Sequence, residues 1–167
     1  MATTKIQAAP QTAKRSFSAG SVISAIGRWI VRNRIYLIAF AIPAVLTYLA
    51  YALFGLYPFG EESVLCLDLN GQYVYYFEAL RDAFWGDGSI FYNWSRNLSG
   101  EFMGIIGYYL ASPFTLIVML LPEKFMLSSL LIMQLCKLGA AGATFNYFLQ
   151  KRRGVQPYPS LLFSTMY

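Results

Sequence analysis

Residues Ile35 to Leu56 run for 22 positions without a charged side chain. As a helix rising 1.5 Å per residue, the run is about 33 Å long, enough to cross the hydrocarbon core of a bilayer. Pro43 within it is expected to kink the helix, which membrane helices tolerate. A cleavable signal peptide fits poorly, because the basic region ahead is long and Leu53-Phe54-Gly55-Leu56-Tyr57 offers no small-residue cleavage site. Composition closes the soluble alternative. The 167 residues are 57% hydrophobic and only 13% charged, against about a quarter charged in soluble domains. So little polar surface cannot coat a globule of this size. The expected fold class is an all-α integral membrane protein.

Charge is segregated along the chain. Residues 1–34 carry six bases (Lys5, Lys14, Arg15, Arg28, Arg32, Arg34) and no acid. Residues 57–103 carry seven acids (Glu61, Glu62, Asp68, Glu78, Asp82, Asp87, Glu101) and two bases, Arg81 and Arg96. Lys151-Arg152-Arg153 follow later. Under the positive-inside rule this pattern places the N-terminus in the cytoplasm and the acidic segment outside, in a multi-pass membrane chain. It is not the footprint of a nucleic-acid face. The chain has no histidine, which removes imidazole acid–base chemistry and most zinc sites. Cys66 and Cys136 sit in unlike settings and are expected to stay unpaired as small apolar fillers.

The organisation expected is as follows. Residues 1–34 form a basic cytoplasmic tail, with an interfacial helix from Ser21 to Arg34 whose Trp29 and arginines suit the headgroup layer. Residues 35–56 span the membrane. Residues 57–104 form an external loop, aromatic-rich like the segment 57–110, where 14 of 54 residues are aromatic. Within it an amphipathic helix covers 70–85, with Asn70 as N-cap and Gly86-Asp87-Gly88 as stop. Tyr73, Phe77, Leu80 and Phe84 form its apolar stripe, and Glu78, Arg81 and Asp82 face away. Residues 105–121, broken by Ser112-Pro113, read as a re-entrant or interfacial segment in preference to a further span. Residues 125–149 span the membrane, 150–160 form a cytoplasmic loop, and 161–167 begin another span, as in the front part of a longer polytopic protein.

Chemistry concentrates on Asp68, an acid among apolar neighbours a dozen residues past the first span. Leu67 and Leu69 suggest partial burial, which raises a carboxyl's proton affinity. Three roles are open to it: a general base, a ligand for a divalent cation set against a phosphate, or a plain helix start. Gly100-x-x-x-Gly104 and the pair Gly139/Ala143 are common helix-packing devices. Asn93-Trp94-Ser95 and Asn97-Leu98-Ser99 match the glycosylation sequon, a weak signal.

The stretch Asp68-Leu69-Asn70-Gly71-Gln72-Tyr73, then Phe77, Arg81-Asp82 and Gly88-Ser89-Ile90-Phe91-Tyr92, resembles the bacterial YfhO membrane-protein family. Gly107-Tyr108-Tyr109-Leu110-Ala111-Ser112-Pro113-Phe114, running on to Leu121-Pro122, resembles it as well, and the similarity covers about residues 35–167. YfhO-like proteins are similar to GT-C glycosyltransferases, which take a sugar from a polyprenyl-phosphate carrier on the outer membrane face. The resemblance implies a truncated GT-C-like N-terminal part with two or three transmembrane helices and interfacial juxtamembrane helices. It implies membrane lipids, a polyprenyl-phosphate sugar donor and a glycopolymer acceptor such as teichoic or lipoteichoic acid as partners, and no nucleic acid. In that pattern an acid of the first external loop is catalytic, and Asp68 occupies its place. Asn70, Gln72, Tyr73, Arg81 and Lys137 then line the substrate. Lys137, alternatively Arg81 or Arg96, would offset charge on the departing phosphate. Tyr73, Trp85, Tyr92 and Trp94 would stack on sugar rings or hold the lipid interface. No cofactor is fixed, and a divalent cation stays open. A second reading is a transporter or flippase of lipid-linked envelope precursors, in which Lys137 outweighs Asp68. A third, a small stand-alone adaptor, requires Tyr167 to be a natural terminus.

Overall fold

The computed structural model describes residues 19–94 and 100–167. Helix makes up 75% of it, and the strands described are β1 (Tyr92–Asn93) and β2 (Gly100–Glu101), an antiparallel pair. The basic residues Lys5, Lys14 and Arg15, Arg96, and the Asn97 sequon lie outside the described residues.

Helix α1 is Ala19–Leu53, 35 residues long. The interfacial helix expected over 21–34 and the span expected over 35–56 are therefore one helix, because no Pro or cap residue stops the chain between Arg34 and Ile35. The helix also ends three residues before Leu56. Gly55 takes a left-handed φ of +63°, and Tyr57 N–H then bonds Glu62 O at 2.7 Å. Residues from Ile35 onward pack as one compact unit, and those up to Arg34 belong to another. In the latter, Val22, Ile23, Ile26, Trp29 and Ile30 are all exposed.

Helix α5, Met126–Arg153, follows a 3₁₀ turn at Glu123–Phe125. Its end corrects the expected loop over 150–160, because Lys151, Arg152 and Arg153 form its last turn. Basic side chains favour the negative end of the helix dipole. Gly154, at φ 65°, ends it, with the Gly154 and Val155 N–H groups turning back to Leu149 O. Helix α6, Pro157–Met166, starts four residues ahead of the expected Leu161, with proline at its first turn. Among the described residues two helices are long and apolar enough to cross a membrane, Gly20–Leu53 and Glu123–Arg153. Only 6% of the apolar window of the first is buried. That excludes the core helix of a globule and leaves an apolar surface for lipid.

The two long helices run antiparallel from Ile35 onward. Tyr36 meets Tyr147 (ring centroids 5.8 Å), Ala39 and Phe40 meet Gly142 and Gly139, and beyond α1 Tyr57 Oη lies 3.0 Å from Ser128 Oγ. Small residues make the approach possible. A Cβ on Gly139 would fall 2.8 Å from the Phe40 ring, and one on Gly142 would fall 2.5 Å from Ala39 O. Pro43 has no N–H to offer that carbonyl four residues back. Gly142 thus packs on a carbonyl that Pro43 cannot serve, so Gly142 joins Gly139 at this contact. Helix α6 docks on the far half of α5, where buried Asn146 donates to Ser160 Oγ (3.1 Å) and Ser164 Oγ (3.3 Å).

Antiparallel pairing gathers the chain between the two long helices at one end. A π-helical turn, Leu69–Tyr73, leads into α2, Val74–Trp85. Beyond the hairpin come α3 (Met103–Ile105), a second π-turn (Ile106–Leu110) and α4 (Thr115–Leu120). Their core joins Phe77, Leu80, Phe102, Ile105, Leu110, Val118 and Met119 to Leu130 and Met133 of α5. The expected stripe on α2 holds at Phe77 and Leu80, both 4% exposed, but Phe84 is 58% exposed. It lies one turn beyond the reach of the core. Residues 105–121 form no continuous helix. The break falls at Ala111–Ser112, and α4 has six residues, far short of the twenty or so a span needs.

Candidate functional site

Helix α2 and the turn ahead of it present four different faces, and these decide most of the candidate residues. Asp68 comes first, in the turn before the helix. It is exposed, which corrects the partial burial expected from Leu67 and Leu69, since Leu67 itself is 86% exposed. Leu67 has φ 49°, a left-handed conformation that costs a leucine about 1–2 kcal/mol. That conformation sets up the turn in which Gly71 N–H and Asn70 N–H both bond Leu67 O, at 2.9 and 3.1 Å. Asp68 holds the N-cap position but makes no side-chain capping hydrogen bond. Asn70, expected as N-cap, lies inside the π-turn instead, because the backbone bonds to Leu67 O already satisfy the turn. Asn70 and Gln72 are exposed beside Asp68.

The second face carries Tyr73 and Tyr76 onto Tyr109. Tyr73 meets Tyr109 edge-on at 5.2 Å, Tyr76 meets it at 5.4 Å, and Tyr108 packs on it at 4.6 Å. Burial holds the Tyr109 phenol above its ordinary pKa, helped by the neighbouring phenols of Tyr108, Tyr76 and Tyr73 and by the Asp68 carboxylate. Asp68 therefore stands within electrostatic reach of a four-tyrosine cluster. Tyr76, Tyr108 and Tyr109 were missed as site residues. Tyr108-Tyr109 stands in the stretch that resembles the YfhO family, and the Tyr-Tyr pair repeats at 75–76.

The third face corrects Arg81. Expected on the solvent side, it turns to the C-terminal end of α4, where Nη1 donates to Val118 O (2.7 Å), Met119 O (3.2 Å) and Leu121 O. The Trp85 indole N–H also donates to Met119 O at 3.0 Å. A helix end leaves its last carbonyls without intrahelical partners, and the guanidinium satisfies them with charge-assisted bonds. On the fourth face, Glu78 is half-buried, not solvent-facing. Burial raises its carboxyl above the ordinary range, and the charges of Glu123 and Asp82 raise it further.

Lys137 is half-buried on α5. It follows Leu130 and Met133 at helical spacing, on the core-facing side one turn further along. No contact joins it to Asp68. Glu101 accepts the Gly104 N–H. Cys66 and Cys136 are both free thiols. Among the described residues no three His, Cys, Asp or Glu side chains gather as a metal site would require.

Residues 39–167 match the family model described as the bacterial membrane protein YfhO. The chain belongs to the YfhO family. No curated protein and no solved structure matches it. The family region starts inside α1 and leaves out the basic N-terminal residues. It takes in both parts of the site, the Asp68 turn and Tyr108-Tyr109. These are forty residues apart in sequence and joined in the fold through Tyr73 and Tyr76. YfhO membership and the two apolar helices make this a membrane-associated protein.

Proposed function

We propose that this YfhO-family chain belongs to a multi-pass membrane glycosyltransferase of the bacterial cell membrane. It would move a sugar from a polyprenyl-phosphate carrier to a cell-envelope glycopolymer, such as teichoic or lipoteichoic acid, on the outer face. The observation that supports this reading most is Asp68, an exposed carboxylate without a capping bond, beside a tyrosine cluster at one end of an antiparallel helix pair. Chemically the step is a displacement at the anomeric carbon. The acceptor oxygen attacks, Asp68 takes its proton, and the carbon–oxygen bond to the carrier phosphate breaks with the electron pair leaving on phosphate. Asn70, Gln72 and Tyr73 would orient the acceptor. Lys137 is the cation proposed to face the leaving phosphate, a role Arg81 is poorly placed to share while it holds α4.

Asp68→Asn in the full-length protein tests the reading. Transfer of label from polyprenyl-phosphate sugar to envelope polymer should fall by about 10²–10⁴-fold, the range for losing a general base. Membrane insertion and thermal stability should hold, because the carboxylate makes no capping hydrogen bond to its helix. Unchanged transfer would remove Asp68 from the mechanism. Unchanged glycans in a deletion strain, with lipid-linked precursors trapped on the inner leaflet, would favour the transporter reading instead.

A further inference from the structure

We propose that the cleft between α2 and β1 is a saccharide site that holds an uncharged, hydroxylated sugar ring and rejects the carrier phosphate. The cleft has a volume of about 300 Å³ and is lined by Tyr75, Glu78 and Asp82 of α2, Asp87 of the following turn, and Tyr92 and Trp94. Tyr75, Glu78 and Asp82 recur at helical spacing on a side of α2 apart from buried Phe77 and Leu80. The turn lies close against α2 because residue 88 is glycine; a Cβ there would sit 2.8 Å from the Ala83 nitrogen. Tyr92 and Trp94, two apart on extended chain, project to one side with ring centroids 4.8 Å apart at 66°.

The lining chemistry matches a pyranose. Its C–H faces pack on aromatic rings, and its hydroxyls donate charge-assisted hydrogen bonds to carboxylates. Trp94 is 82% and Tyr75 60% exposed, so these rings face the cleft and solvent and hold nothing in the core. Arg81, the base on α2, is turned away to the α4 carbonyls. Among the described residues the lining thus holds three carboxylates and no base, a set that repels a phosphate. The site selects the sugar portion of a substrate, on the same helix whose leading turn carries Asp68. Only this place in the reaction rests on the transferase reading; the binding itself does not.

The experiment is saturation-transfer-difference NMR on the full chain in nanodiscs, with methyl glycosides of glucose, galactose, mannose and N-acetylglucosamine as probes. At least one glycoside should give a saturable signal, weakened about tenfold by Trp94→Ala or Tyr75→Ala, the loss of one aromatic contact. The same loss is expected for Glu78→Gln with Asp82→Asn. Binding should survive Asp68→Asn and an excess of inorganic phosphate. Failure of all four glycosides, or a signal indifferent to the cleft variants, overturns the proposal. So does a cleft-dependent signal from tetramethylammonium alone, which would make this an ammonium site. Retained glycoside binding without any transfer by the wild type would sink the transferase reading and leave the cleft standing. Asp68-dependent transfer by a protein that gives no cleft-dependent glycoside signal would do the reverse.

Discussion

At the scale of single residues, Arg81 shows how a charge on an exposed helix acquires a structural task. Its Nη1 serves the last carbonyls of α4 from 37 to 40 positions away in sequence. Arg81→Ala strands those carbonyls half-buried. We expect a loss of about 2 kcal/mol, within the range for removing a charged hydrogen-bond partner, read by thermal unfolding in detergent. A residue that served substrate alone would leave the melting curve in place and change only KM. Glu78 makes a prediction with a definite sign. Its folded pKa is raised above the ordinary 4.5 by burial, then by Glu123 and Asp82. The native state therefore holds the proton more tightly than the unfolded chain, and stability falls as pH rises from about the ordinary value through the raised one. Above both, the full cost persists. Glu78→Gln should accordingly stabilise the protein at neutral pH, and the gain should vanish at pH values below the ordinary carboxyl range. A gain that grew on acidification would contradict the assignment.

At the scale of elements, contact between the long helices depends on missing atoms. Gly142 packs against Ala39 O, which Pro43 cannot serve. Gly142→Val would drive methyl groups into that carbonyl. A cost of about 1–3 kcal/mol is expected from overpacking, together with loss of a cysteine crosslink engineered between positions 36 and 147. If Gly142→Val crosslinked and melted like wild type, the helices would not meet here. Elements of this kind were legible in part. The end of α2 was plain in Gly86-Asp87-Gly88, and the break of residues 105–121 in Ser112-Pro113. Both stops are local, written in residues that cannot continue a helix. The start of α2 was misread at Asn70, since a capping propensity yielded to backbone bonds set by a left-handed Leu67. The tail of α5 extends into the expected 150–160 loop, because Lys and Arg are good helix formers and Gly154 is the residue that stops the helix. Asp68 stood out from the sequence as an acid among apolar residues. Its tyrosine neighbours did not, because Tyr108 and Tyr109 reach it only through tertiary packing.

At the scale of the whole chain, charge and geometry bear on the same question of orientation. From Ile35 onward α1 and α5 are antiparallel, so the start of that stretch and the end of α5 lie at one end of the pair. The Arg152 and Arg153 bases close α5 at that end, and the basic stretch through Arg34 immediately precedes Ile35 in sequence. The acids of residues 61–101 fall between the two helices in sequence, in the segment whose core packs on Leu130 and Met133 near the start of α5. Residues 105–121 do not add a crossing helix, since α4 has only six residues. An odd crossing there would have sent Lys151-Arg152-Arg153 outside, against the positive-inside rule. We therefore predict that Arg153→Cys, in a background with Cys66 and Cys136 changed to Ser, is labelled by a membrane-impermeant maleimide only after the cells are opened. A cysteine at exposed Asp87 should be labelled in intact cells. Labelling of position 153 from outside would reverse the pair. It would also turn the Asp68 turn toward the cytoplasm, where a carrier-linked sugar on the outer leaflet could not reach it.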